Sequence, residues 1–168
     1  MAKANVRLDY DELKKLKEQI MLFGDPTQID QFLESCAKEL AARLLAKVIK
    51  RTPVGEYEEG SGKVGGTLRR GWTAGEDSNA TAYAKSLTVN KVGTDYVIEI
   101  VNPVEYASYV EFGHRQTVGR FVPAIGKRLK QGWVEGKFML TISEEEIRKS
   151  APRILEKKLK DYLKGCFS

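Results

Sequence analysis

Residues 25–53, DPTQIDQFLESCAKELAARLLAKVIKRTP, are the stretch on which the fold turns. Apolar side chains recur at Ile29, Phe32, Leu33, Cys36, Ala37, Leu40, Ala41, Leu44, Leu45 and Val48. That is the i, i+3, i+4 spacing of one buried helix face. Asp25 is an N-cap, Pro26 suits the first helical position, and Gln28 follows the cap by three residues. Thr52-Pro53 closes the run, because a residue before proline avoids the α region. A helix from Pro26 to Arg51 is about 39 Å long at 1.5 Å per residue.

Working outward, residues 9–23 read as a preceding helix, with Asp9 and Glu12 as a capping box and Leu13, Leu16 and Ile20 as its stripe. Residues 55–79 change character: GEYEEGSGKVGG is glycine-rich and without periodicity, a mobile loop over about 55–68, and TLRRGW is a short ordered re-entry of one helical turn. Residues 81–91, alternating around Tyr83, Leu87 and Val89, and 95–102, with YVIEIV, read as two strands of a hairpin connected through Val92-Gly93-Thr94. A short helix over 105–112 follows, with Gly113 as its C-cap. Residues 114–140 read as a loop. A last helix is expected from Ser143, with Ser143 and Glu146 as capping box, Ile147 through Leu163 as apolar face, and Pro152 kinking or dividing it.

At 168 residues the chain reads as a single domain over 1–168. A 42% hydrophobic and 30% charged composition excludes a disordered class. No apolar run approaches the ~18 residues that span a bilayer, so no membrane partner is expected. The opening MAKANVRLDYDELKK has no apolar core and does not read as a signal peptide. Cys36 and Cys166 stand far apart without CxxC spacing, which fits a reducing cytoplasm. The net charge of +5 comes from 28 basic against 23 acidic residues, mostly interspersed, so the basic bias is mild.

Catalytic chemistry finds little footing. His114 is the single histidine, and neither a GxSxG elbow nor an activated cysteine accompanies it. One histidine and two distant cysteines supply no metal shell, so no metal is expected. GSGKVGGT at 60–67 misses the GxxxxGK[ST] order and follows an acidic segment, so no nucleotide or other cofactor is expected. The chain reads as a non-enzyme. Arg69, Arg70 and Trp72, then His114, Arg115, Arg120 and Phe121, then Lys127, Arg128, Lys130 and Trp133 combine basic and aromatic character. Such residues contact phosphates and stack bases, and they are equally what protein interfaces enrich.

The segments TPVG…GGTLRRGW, YASYVEFGHR, GRFVPA and WVEGKFML, in this order between two helices, resemble the tailed-phage minor tail components called tail-completion or neck proteins. The chain departs from that family's pattern in the acidic glycine-rich insertion between Val54 and Thr67. The resemblance implies an α+β domain. In it an antiparallel sheet packs against the long N-terminal helix and a C-terminal helix, with long partner-binding loops. It further implies a structural virion protein, assembled in the host bacterial cytoplasm into a homo-oligomeric ring at the neck or top of the tail, with six-fold symmetry favoured. The partners implied are the head connector and the tail terminator or tube proteins, with DNA passing through the lumen but not specifically bound. The position as neck ring, tail terminator or connector stays open, and a DNA-binding module built on the basic–aromatic segments is the alternative reading. On the leading reading, Arg69, Arg70, Trp72, Glu111, His114, Arg115, Arg120, Phe121, Pro123 and Trp133 are the subunit and partner contacts. Tyr106, Tyr109, Val110 and Phe112 are expected to bury against helix and sheet, and Glu111 to pair with Arg69 or Arg115.

Overall fold

A computed structural model describes residues 4–7, 25–57, 59–60, 62, 64–75, 79–123 and 126–166. The helix expected over 9–23 lies outside the described residues. The chain is a mixed helix and strand fold whose spine is α1, Pro26–Arg51. Asp25 accepts from the Thr27 amide at 2.7 Å to start it. The Thr52 amide and hydroxyl both donate to the Val48 carbonyl, at 2.9 and 2.6 Å, to end it. All ten residues of the predicted stripe, from Ile29 to Val48, are buried. Each of the larger aliphatic side chains among them contributes roughly 1.5–3 kcal/mol by leaving water.

Two helices cover that stripe. The long C-terminal helix α5, Met139–Cys166, runs antiparallel to α1. At one end the Phe32 and Tyr162 rings lie 4.5 Å apart, and the Lys158 ammonium donates to the Ser35 carbonyl at 3.0 Å. At the other end Glu146 receives Lys47 at 2.7 Å and Arg51 at 2.8 Å. Ile147, Ala151 and Leu155 are the buried residues between. The second cover is α3, Ala80–Ser86, capped by the Asn79 side chain, which accepts from the Ala82 amide at 2.8 Å.

That helix corrects the strand expected over 81–91. Tyr83 and Leu87 share parity, as a strand requires, but they are also four residues apart, as a helix face requires. The alanines at 80, 82 and 84 and the asparagine cap tip the balance toward helix. Strand structure begins only at β2, Asn90–Val92, which pairs with β3, Asp95–Val97, across a two-residue turn at Gly93-Thr94. The chain continues through Ile98 into β4, Glu99–Asn102, which pairs antiparallel with β1, Ala4–Arg7. Tyr96, Ile98, Ile100 and Asn102 point inward in strict alternation. The expected single sheet is a set of small antiparallel pairings instead.

Two further expectations change. The C-terminal helix starts at Met139 rather than Ser143, and Ser143 is an interior residue whose hydroxyl donates to the Met139 carbonyl at 2.6 Å. Pro152 sits within this one helix and does not divide it. The 114–140 segment is not a loop but a β-hairpin arm. Its root pairs β5, Gly113–Arg115, with β8, Trp133–Glu135, and its outer part pairs β6, Phe121–Val122, with β7, Lys127–Arg128.

Candidate assembly interface

The ten contact residues expected from sequence fall into two places. Arg69, Arg70, Trp72 and Glu111 belong to the joint between the helices, whereas His114, Arg115, Arg120, Phe121, Pro123 and Trp133 belong to the arm.

At the joint the TP and TLRRGW segments clamp one another. The short helix α2, Thr67–Gly71, follows the glycine-rich loop and presents Arg69, whose guanidinium donates twice to the Thr52 carbonyl, at 3.1 and 2.7 Å. Trp72 is fully buried, and its indole N–H donates to the Thr52 hydroxyl at 2.8 Å. The last turn of α1 is thus held by both side chains of the motif. Trp72 is a core residue and not a partner contact, because no part of its ring reaches the surface.

Glu111 is likewise interior, at 1% exposure. It pairs with neither Arg69 nor Arg115. Its carboxylate accepts from the Leu140 and Thr141 amides, both at 2.9 Å, and from the Thr141 hydroxyl at 2.7 Å. A helix N-terminus leaves its first amides without intrahelical partners and carries positive partial charge. Glu111 answers both needs of α5. It does so from α4, Ala107–Phe112, whose inward face is Ala107 and Glu111. Tyr106, Tyr109 and Phe112 occupy the outward face at 46%, 57% and 55% exposure, against the expectation that they bury. Val110 alone of that group is partly buried against the core.

The arm springs from the end of this helix. Gly113 has φ of +80°, and a Cβ there would collide with the Val134 carbonyl oxygen, so the tight root requires glycine. From the root, Gln116 donates to the Gly132 carbonyl at 2.9 Å, and Gly119 and Leu129 extend the ladder outward. No described residue from Phe112 to Phe138 is buried. Two cross-strand pairs set an aromatic opposite an arginine: Arg115 with Trp133, and Phe121 with Arg128. Trp133 and Phe121 are each about half exposed, and Val118 is 62% exposed. His114 sits at the root, half-buried, with its ring 5.5 Å from that of Tyr109 and its Nε2 3.2 Å from the Gln116 amide nitrogen. Its Nδ1 is buried without a hydrogen-bond partner among the described residues.

Two concavities accompany these elements. The larger, about 820 Å³, runs between α1 and α5 and carries both signs of charge, with Arg43 already paired to Glu39 and Lys47 to Glu146. The smaller, about 250 Å³, is lined chiefly by Pro53, Val54, Tyr57, Val64, Tyr106 and Val110. Gly65 makes it possible, since a Cβ there would strike the Gly55 carbonyl and the two limbs of the loop could not close together. The Arg70 guanidinium donates to the Gly65 carbonyl at 3.2 Å. This groove is smaller than the range usual for cofactors and fits a side chain. Tyr106 escaped the sequence reading because aromatic character alone does not say which face of a one-turn helix points outward. Among the described residues no cluster of acidic, histidine or cysteine side chains could hold a metal, and no helix is long and apolar enough to cross a membrane.

The family model described as "Bacteriophage HK97-gp10, putative tail-component" matches residues 14–113. The match takes in α1, the loop, the joint, α3, β2 to β4 and α4, and it ends at the root of the arm. No curated protein and no solved structure matches the chain.

Proposed function

Given that this chain belongs to the HK97-gp10-like family of phage tail components, we propose that it is the subunit of a ring at the upper end of the tail. The ring completes the tail and joins it to the head connector, its neighbours being connector and tail terminator or tube proteins. Six copies match the symmetry of a tail, and genomic DNA passes through the lumen without specific contact.

One observation carries this reading: the arm of residues 113–135 is a two-stranded ribbon in which no described residue is buried, and it displays Val118, Phe121 and Trp133 to solvent. An isolated two-stranded hairpin is marginal in water. Such a ribbon gains stability when a neighbour covers it, and a ring supplies that neighbour through a heterologous contact in which one patch meets a different patch. The core beneath it, by contrast, is buried within a single chain.

Sedimentation velocity of nuclease-treated protein over a concentration series tests the proposal, with and without duplex DNA. A discrete closed oligomer unaffected by DNA is expected, and Arg120→Glu with Phe121→Ala leaves a folded monomer. A wild-type chain that stays monomeric and shifts only on DNA, with the shift lost as salt rises, overturns the ring in favour of a nucleic-acid module.

A further inference from the structure

The arm needs an acceptor, and the geometry points to the groove between the glycine-rich loop and α4 of a second copy of this chain. This inference rests on the ring reading above and names the two surfaces that close it.

Three observations converge on this pairing. The first is apolar match. The arm exposes Val118, Phe121 and Trp133, and the groove is walled by Val54, Tyr57, Val64 and Tyr106, each between 43% and 76% exposed in the single chain. At about 250 Å³ the groove takes an aromatic side chain such as Phe121. The second is charge. Residues 113–137 carry six basic residues, Arg115, Arg120, Lys127, Arg128, Lys130 and Lys137, against the single acid Glu135. Exposed glutamates adjoin the groove's lining residues in the chain: Glu56 between Gly55 and Tyr57, and Glu105 beside Tyr106, with the exposed Glu59 further along the same loop. Complementary charge of this kind steers encounter and sets register.

The third observation is placement. No arm residue lines the groove of its own chain. Phe121 lies eight residues beyond the root at Gly113, a reach of up to about 27 Å along an extended strand. Donor and acceptor are therefore two separate patches, which is what a head-to-tail ring contact demands and a two-fold dimer does not. The loop that departs from the family pattern thus acquires a role: its acidic, glycine-rich limbs close around Gly65 and make the receptor for the basic arm.

The test uses two variants, one for each surface. Arg120→Glu with Phe121→Ala disables the arm, and Val54→Glu with Tyr106→Glu disables the groove. Val54 and Tyr106 are 43% and 46% exposed, so the subunit keeps its fold, and thermal melting checks this. Should the glutamates lower the melting temperature, Val54→Ser with Tyr106→Ser replaces them. Each variant alone should sediment as a monomer at concentrations about 100-fold above those at which wild type closes, as loss of a central aromatic contact implies. Mixed in equal amounts, the two should form a heterodimer and nothing larger. One intact arm then meets one intact groove, and neither chain can add a third. A groove variant that still closes rings overturns the pairing, as does a mixture that stays monomeric while wild type assembles. Wild-type protein that never assembles removes the ring reading itself, which separates the two failures.

Discussion

The joint and the arm draw on the same residue types and put them to opposite uses. At the joint, Arg69 and Trp72 both turn inward, spend their donors on Thr52 and leave no indole surface to solvent. In the arm, Arg115 and Trp133 lie side by side across two strands, with the arginine exposed and half the indole in water. An arginine beside a tryptophan therefore says nothing by itself about interfaces. What separates the two is whether a backbone carbonyl and an apolar layer of the same chain lie within reach. The joint has both, whereas in the arm Arg128 finds the Gly119 carbonyl at 2.8 Å but no buried apolar layer covers it among the described residues.

The comparison breaks first if the joint proves dispensable. Trp72→Ala removes a fully buried ring and the N–H that donates to the Thr52 hydroxyl, and large-to-small changes of this kind cost about 3–5 kcal/mol. Urea unfolding should show a loss of that order. A loss below about 1 kcal/mol would mean that the α1–α2 clamp does not hold the core. Next in size is Glu111→Ala, which leaves two amides at the start of α5 without an acceptor. An orphaned buried amide such as that of Leu140 costs about 1–3 kcal/mol and the part-buried Thr141 amide less, so a total of about 2 kcal/mol is expected. Glu111→Gln retains one acceptor oxygen and should recover part of it. Equal losses for the two variants would show that the carboxylate charge, and not acceptor geometry, does the capping.

Glu111 also shows where the sequence stops being legible. The cap of α1 is local, with Asp25 two residues from the amide it holds, and that helix could be read to the residue. The cap of α5 arrives from another helix 29 residues earlier, so Ser143 with Glu146 looked like a start when both lie inside the helix. Those two residues instead serve the α1–α5 contact through Arg51, which donates to the Ser143 hydroxyl and to Glu146. The arm was hidden for a similar reason. Its root strands are separated by 17 residues with no two-residue turn between them, and its strands are too short to show alternation. Its arginines and aromatics could be named from residue type alone, and the structure gathers Arg115, Arg120, Phe121 and Trp133 on one exposed arm. Trp72 and Glu111 were placed with them because burial depends on what folds back over a residue, and residue type carries no trace of that.

A smaller effect sharpens the core side of the contrast through pH. A hydrogen bond from Lys47, aided by the charges of Arg51 and Lys47 and opposed by partial desolvation, holds the Glu146 carboxyl below its ordinary value of 4.5. Unfolding releases it to that ordinary value. The contact therefore stabilises the subunit at pH above about 4.5 and is lost as pH falls through the lowered folded value. The stability difference between wild type and Glu146→Gln should be present at pH 7 and shrink progressively below pH 4.5. A difference independent of pH would mean that the ion pair between the long helices contributes nothing.

The smallest effect on stability belongs to the arm, and it is the most telling. Because no described residue from Phe112 to Phe138 is buried, Arg120→Glu with Phe121→Ala should leave the unfolding free energy of the monomer within about 0.5 kcal/mol of wild type. Amide exchange gives the same contrast without substitution. In the monomer, the arm amides of Gly119 and Leu129 hang on a solvent-exposed ladder and should exchange orders of magnitude faster than the central amides of α1, which open only with the whole domain. On assembly the arm should become protected and α1 should not change. An arm already protected in the monomer would mean that the ribbon is stable alone, and the physical argument for a covering neighbour would fall. Protection gained only on assembly would mean that the arm depends on a second copy for the cover that the joint obtains from its own chain.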